Sequence, residues 1–175
     1  MKSEIELALR SNPGHMWHFE GAEESAMSIV KSLEGEGFLA RVVRGSECRT
    51  KSALLREFSN ALEFPDYFGG NWDAWWECMT DLDWFPPTRG FVVVITESGE
   101  FLSGSTIRDL KIAIEGLVSA IDLWGRGASE ADPYREQPPT PLHVIFQEST
   151  PASDSIMRRC REVLPINPFR ELEIR

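Results

Sequence analysis

The sequence predicts an α/β fold, a small, mostly parallel sheet with helices packed over it. Segments with apolar residues at helical spacing alternate along the chain with short strand-like runs. The run Phe91-Val92-Val93-Val94-Ile95-Thr96 is apolar on successive residues, the pattern of a strand covered on both sheet faces. Strands separated by helices return parallel to one another through right-handed crossovers.

Met16 to Glu20 is a short apolar run, and a helix follows over about Ala22 to Leu33, with Ala26, Ile29, Val30 and Leu33 on one face. Gly35 and Gly37 end it, and Phe38 to Val43 reads as a strand. Thr50 is placed to cap a helix through Leu62 whose inner stripe is Leu54, Leu55, Phe58 and Leu62. A loop over Pro65 to Gly70 leads into a second helix from Trp72, stopped by Pro86-Pro87. After the strand Phe91–Thr96, Glu97 to Gly104 is a polar connection with a helical turn expected at Glu100–Leu102. A long helix spans about Ser105 to Leu123, with Ile107, Leu110, Ile114, Leu117, Val118 and Ile121 expected to face inward.

Gly125 to Pro141, rich in Gly, Pro and charge, reads as a long surface insertion. Leu142 to Gln147 is a further strand. Ser153 or Asp154 is the expected cap of a last helix to Leu164, and Phe169 to Ile174 an added strand. The first strand and helix are expected to extend one edge of the sheet. This organisation divides into an N-terminal arm, 1–15, and a single domain, 16–175, without internal repeats.

A chain of 175 residues suits one domain with a substantial core. Its net charge of -10 argues against a general nucleic-acid binder and favours electrostatically steered association with a basic protein. Met1 to Arg10 lacks an apolar leader core, and no segment approaches the ~18 apolar residues of a membrane span, so a cytoplasmic location is expected. Cys48, Cys78 and Cys160, odd in number and widely spaced, fit reduced thiols, with Cys78 a small buried hydrophobe.

Signatures of catalysis are missing. The chain holds no phosphate-binding glycine loop ending in Lys-Ser/Thr, no dinucleotide fingerprint and no nucleophile elbow. His15, His18 and His143 lack metal-ligand spacing, and His143, within a strand, reads as a core or edge residue. Neither catalytic residue, metal nor cofactor is expected, and the chain is not expected to be an enzyme.

The most informative stretch is Phe64 to Trp84, which holds four of the six tryptophans and five carboxylates with no Lys or Arg. On a helix from Trp72, one face carries Trp72, Trp75 and Met79, and another Asp73, Trp76, Glu77 and Thr80. The first is apolar and suits a core. The second sets two acids beside an indole. Like charges at Asp73 and Glu77, one turn apart, cost a helix roughly 0.2–0.5 kcal/mol, and Asp81 continues the row. Asp73 recovers part of this at the positive end of the helix dipole, and Glu77 does not. An indole flanked by acids has the composition of a binding hot spot. Asp73 and Glu77 as a glycosidase-like acid and base, or with Asp81 as ligands of a hard cation, fit poorly, because all lie along one helix rather than around a cleft or an ion.

The order Pro65, Asp66, Tyr67, Phe68, Gly69, Asn71, Asp73, Ala74, Trp76, Glu77, Cys78, Thr80 strongly resembles the barstar family of intracellular ribonuclease inhibitors. A weaker likeness in the order of elements runs over about 39–147. The resemblance implies a barstar-like small parallel sheet, here extended by an N-terminal βα unit and a C-terminal helix. It also implies a monomeric inhibitor that blocks a barnase-type ribonuclease with its acidic-aromatic loop and helix. The implied partner contacts are Tyr67, Asn71, Asp73, Trp76, Glu77 and Thr80. Glu77 stands where the family's main anchor is an aspartate, and Gly70 where the family carries an acid. An immunity or adaptor protein with a different, non-ribonuclease partner is therefore the alternative.

Overall fold

A computed structural model describes residues 9, 14–127, 138–149 and 155–172. Most of the N-terminal arm and of the 125–141 insertion, together with the expected cap at Ser153 or Asp154 and the end of the last strand, lies outside the described residues. In chain order the elements are β1 (Met16–Glu20), α1 (Glu23–Glu34), β2 (Leu39–Arg44), α2 (Lys51–Ala61), α3 (Trp72–Asp81), β3 (Phe91–Thr96), α4 (Ile107–Arg126), β4 (Leu142–Glu148), α5 (Ile156–Val163) and β5 (Phe169–Glu171). Short 3-10 turns occupy Gly45–Cys48 and Ser98–Glu100.

The five strands form one sheet in the order β2-β3-β4-β1-β5, and every pairing is parallel. Alternation along β3 explains its unbroken apolar run. Val92 and Val94 meet Ile29, Val30 and Leu33 of α1 on one face, while Phe91, Val93 and Ile95 meet α2, α3 and α4 on the other. The fold is thus a three-layer α/β arrangement, with α1 and the buried Leu9 on one side of the sheet and α2, α3, α4 and α5 on the other.

Four expectations change. β1 is not an edge strand, because β5 pairs along its outer side, Met16 with Phe169 and His18 with Glu171. The cap of α5 is Ser155, whose hydroxyl accepts from the Met157 N–H. The turn after β3 is Ser98–Glu100, displaced toward the strand by Glu97, whose φ of 48° breaks the extended backbone immediately after Thr96. Ile107 and Val118 do not face inward. They are exposed on α4, and the smaller Ala113 and Ala120, with Trp124, complete its buried stripe.

Two polar clusters knit the layers. Arg44 of β2 donates twice to the buried Glu57 of α2, at 2.9 and 3.0 Å. His18 of β1 lies between Glu148 of β4 (3.1 Å) and Glu171 of β5 (3.0 Å). Glu148 also accepts from the Ser155 hydroxyl and the Ile156 N–H, both at 2.8 Å, which docks the start of α5.

Candidate functional site

The stretch between α2 and α3 is built from the inside outward. Phe64 is buried, meets Phe68 edge-on at 5.0 Å and Trp84 at 5.9 Å, and Trp84 donates its Nε1–H to the Leu62 carbonyl at 3.0 Å. This aromatic floor fixes the loop from beneath. The Phe68 N–H closes a turn onto the Pro65 carbonyl at 2.9 Å. With Phe68 packed on the core, its neighbour Tyr67 points away and is 73% exposed. Gly70 then takes φ +64°, a conformation costly for a residue with Cβ, and Asn71 caps α3 by accepting the Ala74 N–H at 2.9 Å.

Helix α3 lies against α4 through its inner face. Trp75 is buried, edge-on to Phe58 at 5.4 Å. Gly116 of α4 leaves room for its ring, since a Cβ there would stand 2.7 Å from it. Trp124 donates to the Met79 carbonyl at 3.0 Å, and the half-buried Trp72 donates to Asp109 at 3.3 Å. The other face is left to solvent. Asp73 and Glu77 are exposed, and Trp76 is 38% exposed with its Nε1–H donated to Ser119 of α4 at 3.3 Å.

The structure therefore brings Tyr67, Asn71, Asp73, Trp76 and Glu77 to one surface. Thr80 departs from them. It is buried, and its hydroxyl donates to the Trp76 and Glu77 carbonyls at 3.0 Å, so its donor is spent within the helix. Asp109, Gly116 and Ser119, which fix the two outer indoles and the helix, have no signal in the site's own stretch. An isolated glycine within an otherwise regular helix is the one local hint at Gly116.

The surface is electrically one-sided. The Tyr67 phenol is pushed above its ordinary range, first by loss of surrounding water and then by the charges of Asp81, Asp83 and Glu77. Burial, with Asp81 and Glu77 nearby, likewise raises the Cys78 thiol. The ion pairs of α4, Lys111–Glu115 and Arg126–Asp122, and those of Arg41, Arg44 and Arg49 involve neither Asp73 nor Glu77. Asp73 and Glu77, without an ion-pair partner among the described residues and near the exposed rings of Tyr67 and Trp76, suit a basic, partly flat partner surface. Away from this surface, His143 is buried in β4. Its Nδ1 accepts from the Trp17 indole and the His15 N–H, both at 3.1 Å, and burial lowers its pKa to about 4.

The Barstar (barnase inhibitor) family model matches residues 38–147, more than half of the chain and the whole of the acidic-aromatic stretch. The chain belongs to the barstar family. Within this barstar-family protein the matched segment supplies β2, α2, α3, β3, α4 and most of β4, whereas β1, α1, α5 and β5 lie outside it. No curated protein matches the chain.

Among solved structures it is similar to the ORC2 protein of Aeropyrum pernix in its ADPNP-ADP complexes, with TM-score 0.55, 14% identity, 98% of this chain and 47% of that chain covered. It is also similar to Drosophila ORC bound to AT-rich DNA and Cdc6, with TM-score 0.53, 8% identity, 97% and 51% covered. The chain spans about half the length of these proteins, and at such identity the likeness is one of fold. Among the described residues no helix is long and apolar enough to cross a membrane, and no group of three His, Cys, Asp or Glu could hold a metal ion.

Proposed function

We propose that this chain is a protein inhibitor that binds a basic ribonuclease of the barnase type and covers its active site with the 65–70 loop and α3. One observation carries the reading. Asp73 and Glu77 stand exposed, without a cationic partner among the described residues, on the same side as Tyr67 and Trp76 of a helix whose other face is anchored in the core. Their carboxylates would bond to the cations that hold RNA phosphates in such an enzyme, and the two aromatic side chains would supply flat contact. Asn71 would set the loop, and Thr80 would act from within by fixing the Trp76–Glu77 turn. Binding would take place in the cytoplasm, one inhibitor to one enzyme, as one half of a toxin–antitoxin pair.

The start of α1 does not suit phosphate binding. Helix α1 follows β1 after only Gly21 and Ala22, and its first turn carries Glu23 and Glu24. Those carboxylates occupy the positive helix end that would otherwise attract a phosphate. Glu77 in place of the family's aspartate favours a second reading, an immunity or adaptor protein for a different basic partner.

Titration of the full chain into barnase with RNA hydrolysis as readout tests the proposal. Stoichiometric inhibition is expected, weaker at high salt and weakened at least a hundredfold by Glu77→Ala with the melting temperature not lowered. Binding without inhibition supports the second reading, and equal loss of stability and inhibition in Glu77→Ala overturns the assigned site.

A further inference from the structure

The exposed large apolar side chains among the described residues are Tyr67, Trp76, Ile107, Val118 and Ile166. Three of them share one strip of surface. Trp76 reaches Ser119 through its indole N–H. Ser119 and Val118 line a groove of about 550 Å³ between α4 and the 164–168 segment, and Ile166, 79% exposed, stands on its far wall. The groove continues past Val118, Asp122 and Pro168 into a hollow of about 220 Å³ beside His15. Apolar surface held in water costs roughly 25 cal/mol per Å², and a strip continuous with an acidic-aromatic face has a ready way to be covered.

Charge selects the occupant. Glu115 and Asp122 line the groove and extend the acidic character of α3 across α4. Each is paired on its own helix, with Lys111 and Arg126, at exposed positions where such pairs contribute little. A second copy of this chain would set these acids, and Glu77 beyond them, against their equivalents on a molecule of net charge -10. A basic protein meets no such repulsion.

We propose that this groove is the second half of the partner footprint, in which the basic protein engaged by α3 also seats an apolar side chain between Val118 and Ile166. The proposal rests on the reading of α3 as the inhibitory face. The far wall, 164–168, lies beyond the family-matched residues, so this contact is an addition by which the present chain distinguishes one basic partner from another. Contacts of this kind give specificity because a partner without the apolar side chain leaves the groove wet.

The test is calorimetric titration of barnase with the full chain, the neutral variants Ile166→Ser and Val118→Ser, and Glu77→Ala, with thermal melts of each. About tenfold weaker binding is expected from each Ser variant at unchanged melting temperature, with Ile166→Val near the unaltered chain. Unaltered affinity in both Ser variants, while Glu77→Ala loses binding, overturns the groove and leaves the inhibitor reading standing. Absence of binding by the unaltered chain overturns both. A concentration-dependent dimer in sedimentation that Val118→Ser dissolves assigns the groove to a second copy and overturns the proposal.

Discussion

At the scale of single residues, stability and binding pull in opposite directions along α3. Asn71 serves the fold, since its side chain accepts the Ala74 N–H and begins the helix beside the left-handed Gly70. Asn71→Ala is expected to lower stability by about 1 kcal/mol, read as a fall in melting temperature. Glu77 serves the surface. One turn from Asp73 and beyond the favourable end of the dipole, it costs the free helix a few tenths of a kcal/mol. Glu77→Gln is therefore expected to raise the melting temperature slightly while weakening partner binding. A lower melting temperature in Glu77→Gln would show that Glu77 has a structural role in the free chain.

At the scale of elements, the same helix depends on a neighbour far along the chain. Gly116 sits mid-way through α4, where glycine is worse than alanine by about 1 kcal/mol in propensity. An added Cβ would stand 2.7 Å from the Trp75 ring, which is fixed in the core against Phe58. Gly116→Ala is expected to lose about 1–3 kcal/mol by overpacking despite its better propensity. It should also weaken binding by displacing α3, whereas a more stable variant with unaltered binding would show that the ring yields freely.

This dependence separates what was legible in the sequence from what was not. Spacing alone sets Asp73, Trp76 and Glu77 on one face of α3, whereas Tyr67 and Asn71, in the loop that opens the helix, come only from the family resemblance. Thr80 lies on the same helix, but it turns inward because its hydroxyl bonds to carbonyls of the preceding turn, a competition that side-chain type does not decide. Asp109, Gly116 and Ser119 reach the site only through the packing of α4 on α3. Strand β3 declared itself because both its faces are covered. The place of β1 did not, because strand order depends on pairing partners: a strand over 169–174 is expected, but nothing in so short a segment says that it pairs with β1.

At the scale of the whole molecule, two buried histidines give the fold opposing dependences on pH. His18 joins three strands. Its bond to Glu148, aided by Glu171 and opposed by burial, holds its pKa above the ordinary 6.5. A raised value in the folded state means that its contribution is complete below pH 6.5 and is lost as pH climbs through the folded pKa. Glu148, though raised by burial, is held below 4.5 by its bonds from His18, Ile156 and Ser155, so its contribution persists above pH 4.5 and fades only in stronger acid. His143 behaves oppositely to His18. Burial lowers its pKa from 6.5 to about 4, so the unfolded chain takes up the proton first. Its contribution is complete above pH 6.5 and declines down to about pH 4, by order 3 kcal/mol in total. Stability should therefore peak near pH 6.5, because the His143 contribution declines below it and the His18 contribution is lost above it. Thermal melts from pH 4 to 9 on the unaltered chain, His18→Gln and His143→Gln separate the two limbs. His18→Gln should flatten the alkaline limb and keep the acid one, and His143→Gln the reverse, read as slopes because each substitution also shifts the level. An acid limb with the same slope in His143→Gln would place the acid-labile proton elsewhere. An alkaline limb unmoved in His18→Gln would mean that the Glu148–His18–Glu171 cluster does not hold β5 to the sheet through charge.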